Sequence, residues 1–320
     1  MDSKFKERIL FYGTPSFAVG VLERLIEQDF NVIGVVTMPD KVQGRGKTFL
    51  PSAVKKYAQS VNLEILQPTN LKSQDFQEDL KRLNPDVQVV VAFRMLPEIV
   101  WDYPKLGTYN VHASLLPDYR GAAPINWVLY NGEKNTGVTT FKLKHAIDTG
   151  DIALQKEVSI SESDNFETLY NKLAQLGAIA MVETLQLLFK GDLKLRQQDS
   201  VPLIHQAPKI SKEDLFINIT TSKEVLNKIR AFSPYPGARL KLEKNNFIKF
   251  ISAKRVKKEE INELKIGAKK HILGDYEFFT KNSRIFISCL DTWLELLVLQ
   301  IPNKKAMTAQ EIMNGRNLFN

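Results

Sequence analysis

An asparagine and a histidine two residues apart, Asn110 and His112, are the polar pair in this chain best placed to do chemistry. The segment 108–112 has the pattern of a buried strand, and side chains two residues apart on a strand project from the same face. If the strand ends at His112, both lie at its carboxyl end, where open α/β sheets bind ligands. An amide and an imidazole there can donate hydrogen bonds to one carbonyl oxygen and stabilise negative charge that develops on it.

Two carboxylates, Asp148 and Asp151, follow in a segment that is predicted to be a loop between strands. One of them could orient the imidazole of His112 and accept its proton. On residue types alone, an Asn-x-His pair near a strand end is more often structural than catalytic. His145 and His205 have no such companions in the sequence, and we interpret them as ordinary histidines.

Composition limits the remaining classes of protein. The chain has 320 residues, 43% of them apolar and 25% charged, which is ordinary for a globular protein and predicts two domains. The single cysteine, Cys289, excludes an intramolecular disulfide and any CxxC motif, and we expect no metal site. Apolar runs are shorter than the roughly 18 residues that span a bilayer, and no secretory signal is recognised. A cytoplasmic protein without a membrane partner is expected.

The first glycine turn, residues 13–18, follows a strand pattern and opens a helix, where a phosphate could bind. It lacks the three glycines of GxGxxG that allow a dinucleotide to approach the backbone closely. A nicotinamide-dependent dehydrogenase is therefore disfavoured.

Strand and helix patterns alternate through the first two hundred residues. They predict an α/β fold with a doubly wound, Rossmann-like, mainly parallel sheet. Strands are predicted at 8–12, 31–37, 63–66, 87–93, 108–112, 137–143 and 151–158. Helices are predicted from residue 15 to about 26, and at 51–61, 73–83, 123–130, 165–189 and 222–232.

The pattern changes near residue 190. Little periodicity follows it, and five short strand-like segments come later, at 238–242, 247–252, 276–280, 285–288 and 293–299. Lysine-rich turns separate these segments, and the set predicts a small OB-like β-barrel. We therefore predict a catalytic domain at residues 1–190, a linker at 191–208 and a second domain at 209–320.

Positive charge is concentrated in the last third of the chain. The whole chain carries 44 basic and 36 acidic residues, and residues 209–316 hold 21 of the basic and 12 of the acidic ones. The remainder is close to neutral. This asymmetry indicates that the C-terminal part binds a polyanion, and a lysine-rich solvated surface remains the alternative.

The block Asn110–Ile125, which includes Ser-Leu-Leu-Pro at 114–117, closely resembles the folate-dependent formyltransferases, as does the Asp-Thr-Gly-Asp segment at 148–151. Gly44–Lys47 followed by Pro51–Lys55, and the segment Ile229–Ala238, resemble the branch of that family that acts on tRNA. The resembling motifs occur in the family's order over nearly the whole chain.

This resemblance implies roles for individual residues. The implied catalytic residues are Asn110, His112 and Asp148. The implied folate-binding residues are Ser114, Leu115, Leu116 and Pro117, and Arg94 in the family's folate-pocket segment is expected to reach the folate or cover the pocket. The residues expected to contact tRNA are Arg45, Lys47, Lys254, Arg255 and Lys257.

The implied reaction transfers the formyl group of 10-formyltetrahydrofolate, the co-substrate, to the α-amine of methionine carried by initiator tRNA. The alternatives are a formyltransferase that acts on an amino-sugar nucleotide and a non-catalytic RNA-binding protein on a Rossmann-like scaffold. The partners implied are initiator methionyl-tRNA and a folate. A monomer is the simplest expectation.

Overall fold

The computed structural model describes residues 5–43, 48–198, 205–242 and 246–315. It divides the chain into two compact units that interleave along the sequence. Unit 1 comprises Met1–Gly121, Asn135–Ser159 and Tyr170–Gln206, and unit 2 comprises Ala122–Lys134, Ile160–Leu169 and Ala207–Asn320. The predicted domain boundaries at residues 190 and 209 stay a prediction.

Unit 1 is built on a seven-stranded sheet. Its strand bounds, together with those of the short strands β3, β4 and β8, are β1 Ile9–Gly13, β2 Val32–Val36, β3 Lys41–Gln43, β4 Thr48–Leu50, β5 Ile65–Leu66, β6 Val87–Val91, β7 Thr108–His112, β8 Arg120–Gly121, β9 Asn135–Lys142 and β10 Ile152–Ser159. The sheet order is β10-β9-β7-β6-β1-β2-β5, and the five strands from β7 to β5 are parallel. This confirms the predicted α/β class, since only β9 and β10 add antiparallel pairing.

Continuous apolar runs produce the central strands. Every residue of β1 and β6 is buried, as expected for parallel strands with both faces covered. The first six helices of the chain are α1 Ser16–Glu27, α2 Ala53–Ser60, α3 Gln74–Leu83, α4 Glu98–Trp101, α5 Pro124–Asn131 and α6 Phe166–Lys190. Side-chain caps fix two of their starts: Ser52 accepts from the Lys55 amide and Ser73 from the Phe76 amide.

Helix α6 packs against β7 through a glycine. A Cβ added at Gly177 would lie 2.9 Å from Cγ1 of Val111, the residue between Asn110 and His112. The missing side chain therefore lets the helix approach the strand closely and fixes the strand beneath its two polar residues. Among the described residues, α6 is the one helix long and apolar enough to pass a composition test for a membrane span, a test that buried core helices also pass.

Unit 2 contains α5 and an antiparallel sheet. The remaining elements are β11 Gln206–Ala207, a 3₁₀ turn Glu213–Leu215, α7 Ser222–Phe232, β12 Ala238–Lys241, β13 Phe247–Arg255, α8 Lys258–Lys265, β14 Lys269–Leu273, β15 Tyr276–Lys281, β16 Arg284–Ser288, β17 Trp293–Gln300, β18 Met307–Thr308 and α9 Ala309–Gly315. The sheet order is β12-β13-β17-β16-β15-β14, with β18 paired to β17. This confirms the predicted small, OB-like β domain after the Rossmann-like sheet, and its strands pair antiparallel.

Two elements of unit 2 differ from the sequence prediction. Residues predicted as lysine-rich turns form helix α8 and strand β14. Helix α8 has no buried residue, and β14 is an edge strand with mostly exposed side chains. Helix α8 contributes only two half-buried apolar residues, Ile261 and Leu264, to a core cluster, and β14 is too exposed to alternate clearly, so neither produces a strong periodic pattern.

A buried carboxylate joins three strands of this sheet. Glu295 on β17 accepts hydrogen bonds from Arg284 on β16, its Oε1 at 2.8 Å from Nε, and its Oε2 lies 3.2 Å from Nζ of Lys254 on β13. Burial alone raises the pKa of Glu295, but the hydrogen bonds from Arg284 and Lys254 outweigh it and lower that pKa below its usual value.

We expect Glu295→Gln to lower the free energy of unfolding by about 1–2 kcal/mol at pH 7, because Arg284 and Lys254 lose their counter-charge but remain partly hydrated. A folded-state pKa below the unfolded value means that this stabilisation exists above about pH 4.3 and is lost as the pH falls through the folded pKa. Urea titrations at pH 7 and pH 3.5 should therefore show a difference from wild type that shrinks in acid.

The matched control is Glu277→Gln, which breaks the exposed pair with Lys270 and should cost under about 1 kcal/mol. A Glu295→Gln deficit that stays constant from pH 7 to pH 3.5 would contradict the role of this carboxylate.

Candidate active site

Strand β7 has the predicted bounds and carries Asn110 and His112 to its carboxyl end. Asn110 pairs with Val90 of the parallel strand β6, so the pair lies beside the carboxyl end of a second buried strand. On the other side His112 pairs with Thr139 of β9. The two side chains project from one face, while Val111 between them faces α6.

The imidazole of His112 lies between a carbonyl and a carboxylate. Nε2 is 2.8 Å from the backbone oxygen of Tyr119, and Nδ1 is 3.8 Å from Oδ2 of Asp148. A carbonyl only accepts, so Nε2 carries a proton in this arrangement. Nδ1 can then donate only when the ring is protonated, and its distance from Asp148 exceeds that of a direct hydrogen bond. A protonated His112 would therefore have an N–H at Nδ1 that no protein atom fully uses.

Asp148 lies in the loop between β9 and β10, and contacts within and around that loop hold it in place. Its backbone has φ of 54°, a left-handed conformation that is uncommon for a residue other than glycine. Its Oδ2 accepts a hydrogen bond of 3.0 Å from the amide of Gly121, and its side chain is 11% exposed. The same oxygen thus faces both His112 and Gly121, which fixes the carboxylate beside the imidazole.

Asn110 carries an unsatisfied polar atom. Its Oδ1 is buried and has no hydrogen-bond partner. A buried amide oxygen without a partner costs about 1–3 kcal/mol, so this atom is a candidate to receive a hydrogen bond from a ligand. The three residues predicted to be catalytic thus lie in one unit, His112 in contact with Asp148 and Asn110 on the same face of β7.

One buried side chain that braces this loop, Gln198, was not predicted by the sequence analysis. Gln198 is 7% exposed, and its Nε2 donates to the backbone oxygens of Asp148 at 2.9 Å and Gly150 at 2.8 Å. Its Oε1 accepts from Nε of Arg120 at 3.1 Å and from the same guanidinium's Nη2. Gln198 therefore ties the Asp148 loop to the segment that contains Gly121.

Gly150 makes this close approach possible. A Cβ added there would collide with the backbone oxygen of Lys142 on β9. The Asp148 loop can thus lie flat against the strand only with a glycine at this position.

His205, which the sequence analysis treated as ordinary, supports the other side of the imidazole. Its ring stacks on that of Tyr119 with centroids 5.0 Å apart, and its backbone oxygen accepts from the Tyr119 amide at 3.0 Å. Asp118 accepts from the His205 amide at 2.9 Å. These contacts hold the Tyr119 carbonyl that His112 requires.

In the predicted folate segment, residues 114–117, several backbone and side-chain polar groups hydrogen-bond to neighbouring protein residues. Thr139 donates to the Ser114 carbonyl at 2.7 Å and accepts from the Leu116 amide at 3.0 Å, and Gln155 donates to the Leu116 carbonyl at 2.8 Å. The Ser114 hydroxyl donates to the Asp118 carbonyl. Direct folate contacts by Ser114, Leu115, Leu116 and Pro117 stay a prediction.

A cavity of about 880 Å³ lies next to Arg94. Its walls include Met95, Leu96, Ile99, Trp101 and His145, and two of the apolar side chains are strongly exposed, Met95 at 74% and Ile99 at 59%. Volume and apolar lining suit a flat, drug-sized molecule such as a folate. His145 is three residues before Asp148, so one wall of the cavity belongs to the loop that carries Asp148.

Arg94 is itself largely engaged with the protein. It donates to the backbone oxygens of Thr69 at 2.8 Å and Pro68 at 2.6 Å, and its guanidinium lies 5.7 Å from the Phe93 ring centroid. Its Nε is buried without a partner. The geometry supports its covering the pocket more than its reaching outward, and a folate contact stays a prediction.

The residues predicted to contact tRNA have different environments. Arg45 and Lys47 lie outside the described residues. Lys254 pairs with Glu295, and Arg255 pairs with Asp291 at 2.9 Å. Lys257 is exposed immediately before α8. Within the described part of the chain, no group of three or more His, Cys, Asp or Glu side chains is placed to hold a metal ion.

Comparison with known families accounts for both parts of the chain. A model described as formyl transferase matches residues 7–185, and one described as formyl transferase, C-terminal domain, matches residues 209–317. The methionyl-tRNA formyltransferase of Flavobacterium johnsoniae is 45% identical over 314 residues, which cover 97% of this chain and 96% of that protein.

Solved structures share the fold at lower identity. HypX from Aquifex aeolicus, solved with tetrahydrofolic acid, matches with a TM-score of 0.65 and 18% identity; the match covers 97% of this chain and 47% of HypX. An N-formyltransferase from Helicobacter canadensis, solved with folinic acid and dTDP-3-aminofucose, matches with a TM-score of 0.62 and 20% identity, covering 90% of this chain and 97% of that one.

We expect Gln198→Ala to loosen the Asp148 loop. Two buried hydrogen bonds are lost, so amide exchange at Gly121 and at residues 146–151 should accelerate about tenfold. Gln77→Ala is the control, because it also removes a glutamine bond to a backbone oxygen, that of Leu71, but at a site distant in sequence from this loop. Unchanged exchange in Gln198→Ala, measured by mass spectrometry, would show that the brace is not needed.

Proposed function

The chain belongs to the formyl transferase family, and from that premise we propose that it transfers the formyl group of 10-formyltetrahydrofolate to the α-amine of methionyl initiator tRNA. The observation that supports this substrate assignment is the similarity to methionyl-tRNA formyltransferases, at 41–45% identity over nearly the full length. The product is N-formylmethionyl-tRNA, which serves translation initiation.

The chain's own residues have separable roles in this reaction. The folate co-substrate would supply the formyl carbon: the α-amine bonds to that carbon, the bond from the carbon to the folate N10 breaks, and tetrahydrofolate leaves with a proton on N10. His112, protonated, donates from Nδ1 toward the formyl oxygen, where negative charge develops, while Nε2 remains bound to the Tyr119 carbonyl. Asp148 stabilises the charged imidazole and accepts the amine proton, directly or through a water. The α-amine needs no strong base, because its pKa of about 8 leaves a useful neutral fraction at physiological pH.

Asn110 positions the reacting groups. Its unpartnered Oδ1 can accept a hydrogen bond from the attacking amine, and its amide nitrogen can donate to the formyl oxygen. The cavity beside Arg94 and His145 is the place we propose for the folate, on the basis of its volume and apolar walls. The segments 1–190 and 209–320 are proposed as the catalytic and tRNA-binding domains.

Two alternatives have weaker support. The amino-sugar formyltransferase resembles this chain at 20% identity, a level that indicates a shared fold and not a shared substrate. A non-catalytic RNA-binding protein has no need for the His112–Asp148 pair or for the buried, unsatisfied amide of Asn110.

The substrate assignment is tested by supplying 10-formyltetrahydrofolate with either charged initiator tRNA or an amino-sugar nucleotide. We expect mass spectrometry to detect a formyl group on methionyl-tRNA alone. Formylation of the sugar nucleotide, with none of the tRNA, would replace the proposed substrate.

The His112–Asp148 coupling is tested by His112→Asn, Asp148→Asn and the double variant in single-turnover formyl transfer. Each single change should slow the reaction by about 100-fold or more, and the double variant should be no slower than the slower single one, because the two groups act as a unit. Normal turnover by Asp148→Asn, with loss of activity in His112→Asn, would contradict the coupling.

A further inference from the structure

Two cations face each other on neighbouring strands of unit 2. Arg239 on β12 pairs directly with Lys249 on β13, so their side chains share one face of the sheet. Like charges in directly opposed positions destabilise a sheet. The pKa of Lys249 is lowered by burial first and by the nearby Arg239 charge second. The repulsion between Arg239 and Lys249 therefore destabilises the sheet locally, and no ion pair among the described residues of the sheet offsets it.

Neither cation has a counter-charge. Within residues 5–43, 48–198, 205–242 and 246–315, no carboxylate forms an ion pair with Arg239 or Lys249, and Nε of Arg239 is buried without a hydrogen-bond partner. Other cations of the same sheet do have partners: Lys254 and Arg284 pair with Glu295, and Lys270 pairs with Glu277. An anion from outside the chain would satisfy what the protein leaves unsatisfied.

One aromatic ring lies close to each of the two cations. The Arg239 guanidinium lies 4.6 Å from the Phe247 ring centroid, and Nζ of Lys249 lies 5.9 Å from that of Tyr235. Tyr235 is 79% exposed, an unusual position for a large aromatic side chain. A Cβ at Gly237 would lie 3.0 Å from Cδ of Lys249, so the glycine lets the lysine stem pass close to the backbone below Tyr235. The cations are thus held in place rather than free in solvent.

We propose that Arg239 and Lys249 bind a backbone phosphate of the tRNA substrate and that Tyr235 stacks on an adjacent base. The inference rests on the proposed function, and it names the residues through which unit 2 binds its polyanion. An arginine fork binds phosphate oxygens in pairs, a lysine adds a point charge, and an exposed ring offers a stacking surface for any base. Lys254 and Arg255, already paired with carboxylates, contribute less to this contact.

The test measures binding of initiator tRNA to the full chain by fluorescence anisotropy between 50 and 200 mM KCl. We expect Lys249→Gln and Arg239→Gln each to weaken binding about threefold or more at 100 mM, and to reduce the slope of log affinity against log salt by about 1. Lys270→Gln, which removes a paired lysine from the same sheet, is the control and should leave the slope unchanged.

The aromatic contribution is tested separately. Tyr235→Ala should weaken binding about fivefold or more at every salt concentration with an unchanged slope, and Tyr235→Phe should retain the wild-type affinity. Thermal midpoints check that the variants fold, and Lys249→Gln decides the question if Arg239→Gln does not fold. The Michaelis constant for the folate should stay unchanged in all of them.

The outcomes separate this inference from the proposed function. If wild type formylates methionyl-tRNA and Lys249→Gln binds tRNA with the wild-type affinity and slope, the phosphate site is wrong and the function stands. The same conclusion follows if Lys254→Gln, and not Lys249→Gln, reduces the salt slope. If wild type does not bind tRNA at all, both proposals fail.

Discussion

The imidazole of His112 lies between two hydrogen-bond acceptors, the backbone carbonyl of Tyr119 and the carboxylate of Asp148. The Tyr119 carbonyl accepts a hydrogen bond from Nε2 at 2.8 Å, and the Asp148 carboxylate lies 3.8 Å from Nδ1. A neutral ring would turn a lone pair toward the carboxylate. The arrangement of the neighbouring loops follows from holding these two acceptors in place on either side of the ring.

The side chains of Thr139, Gln155, Gln198 and His205 hold these segments in place. Thr139 and Gln155 support the Ser114–Pro117 segment, Gln198 supports the Asp148 loop, and His205 supports Tyr119. Thr139, Gln155 and Gln198 do so through uncharged side chains that hydrogen-bond to backbone atoms, and His205 does so through its ring and its backbone oxygen. Hydrogen bonds from uncharged side chains fix the backbone geometry without adding charge to the site.

The sequence allowed the parallel sheet, the bounds of β7 and the Asn110–His112 pair to be predicted, because buried strands and two-residue alternation leave a direct pattern in the chain. Asp148 was recognised through a family resemblance, since nothing local ties it to His112. Gln198 and His205 were missed because they act from 50 and 86 residues away from Asp148 and Tyr119, through backbone contacts that no periodicity records. Helix α8 and strand β14 were missed because neither contains a fully buried residue, so their apolar periodicity is weak.

The positions of Gln198 and His205 in the sequence determine when they are added during synthesis on the ribosome. The proposed catalytic residues Asn110, His112 and Asp148 are all synthesised before residue 151, yet the two braces are added about fifty residues later. A nascent chain that stops near residue 190 would contain every strand of the unit 1 sheet but neither Gln198 nor His205. The residues that hold the Asp148 loop and Tyr119 in place are thus the last part of this site to be synthesised.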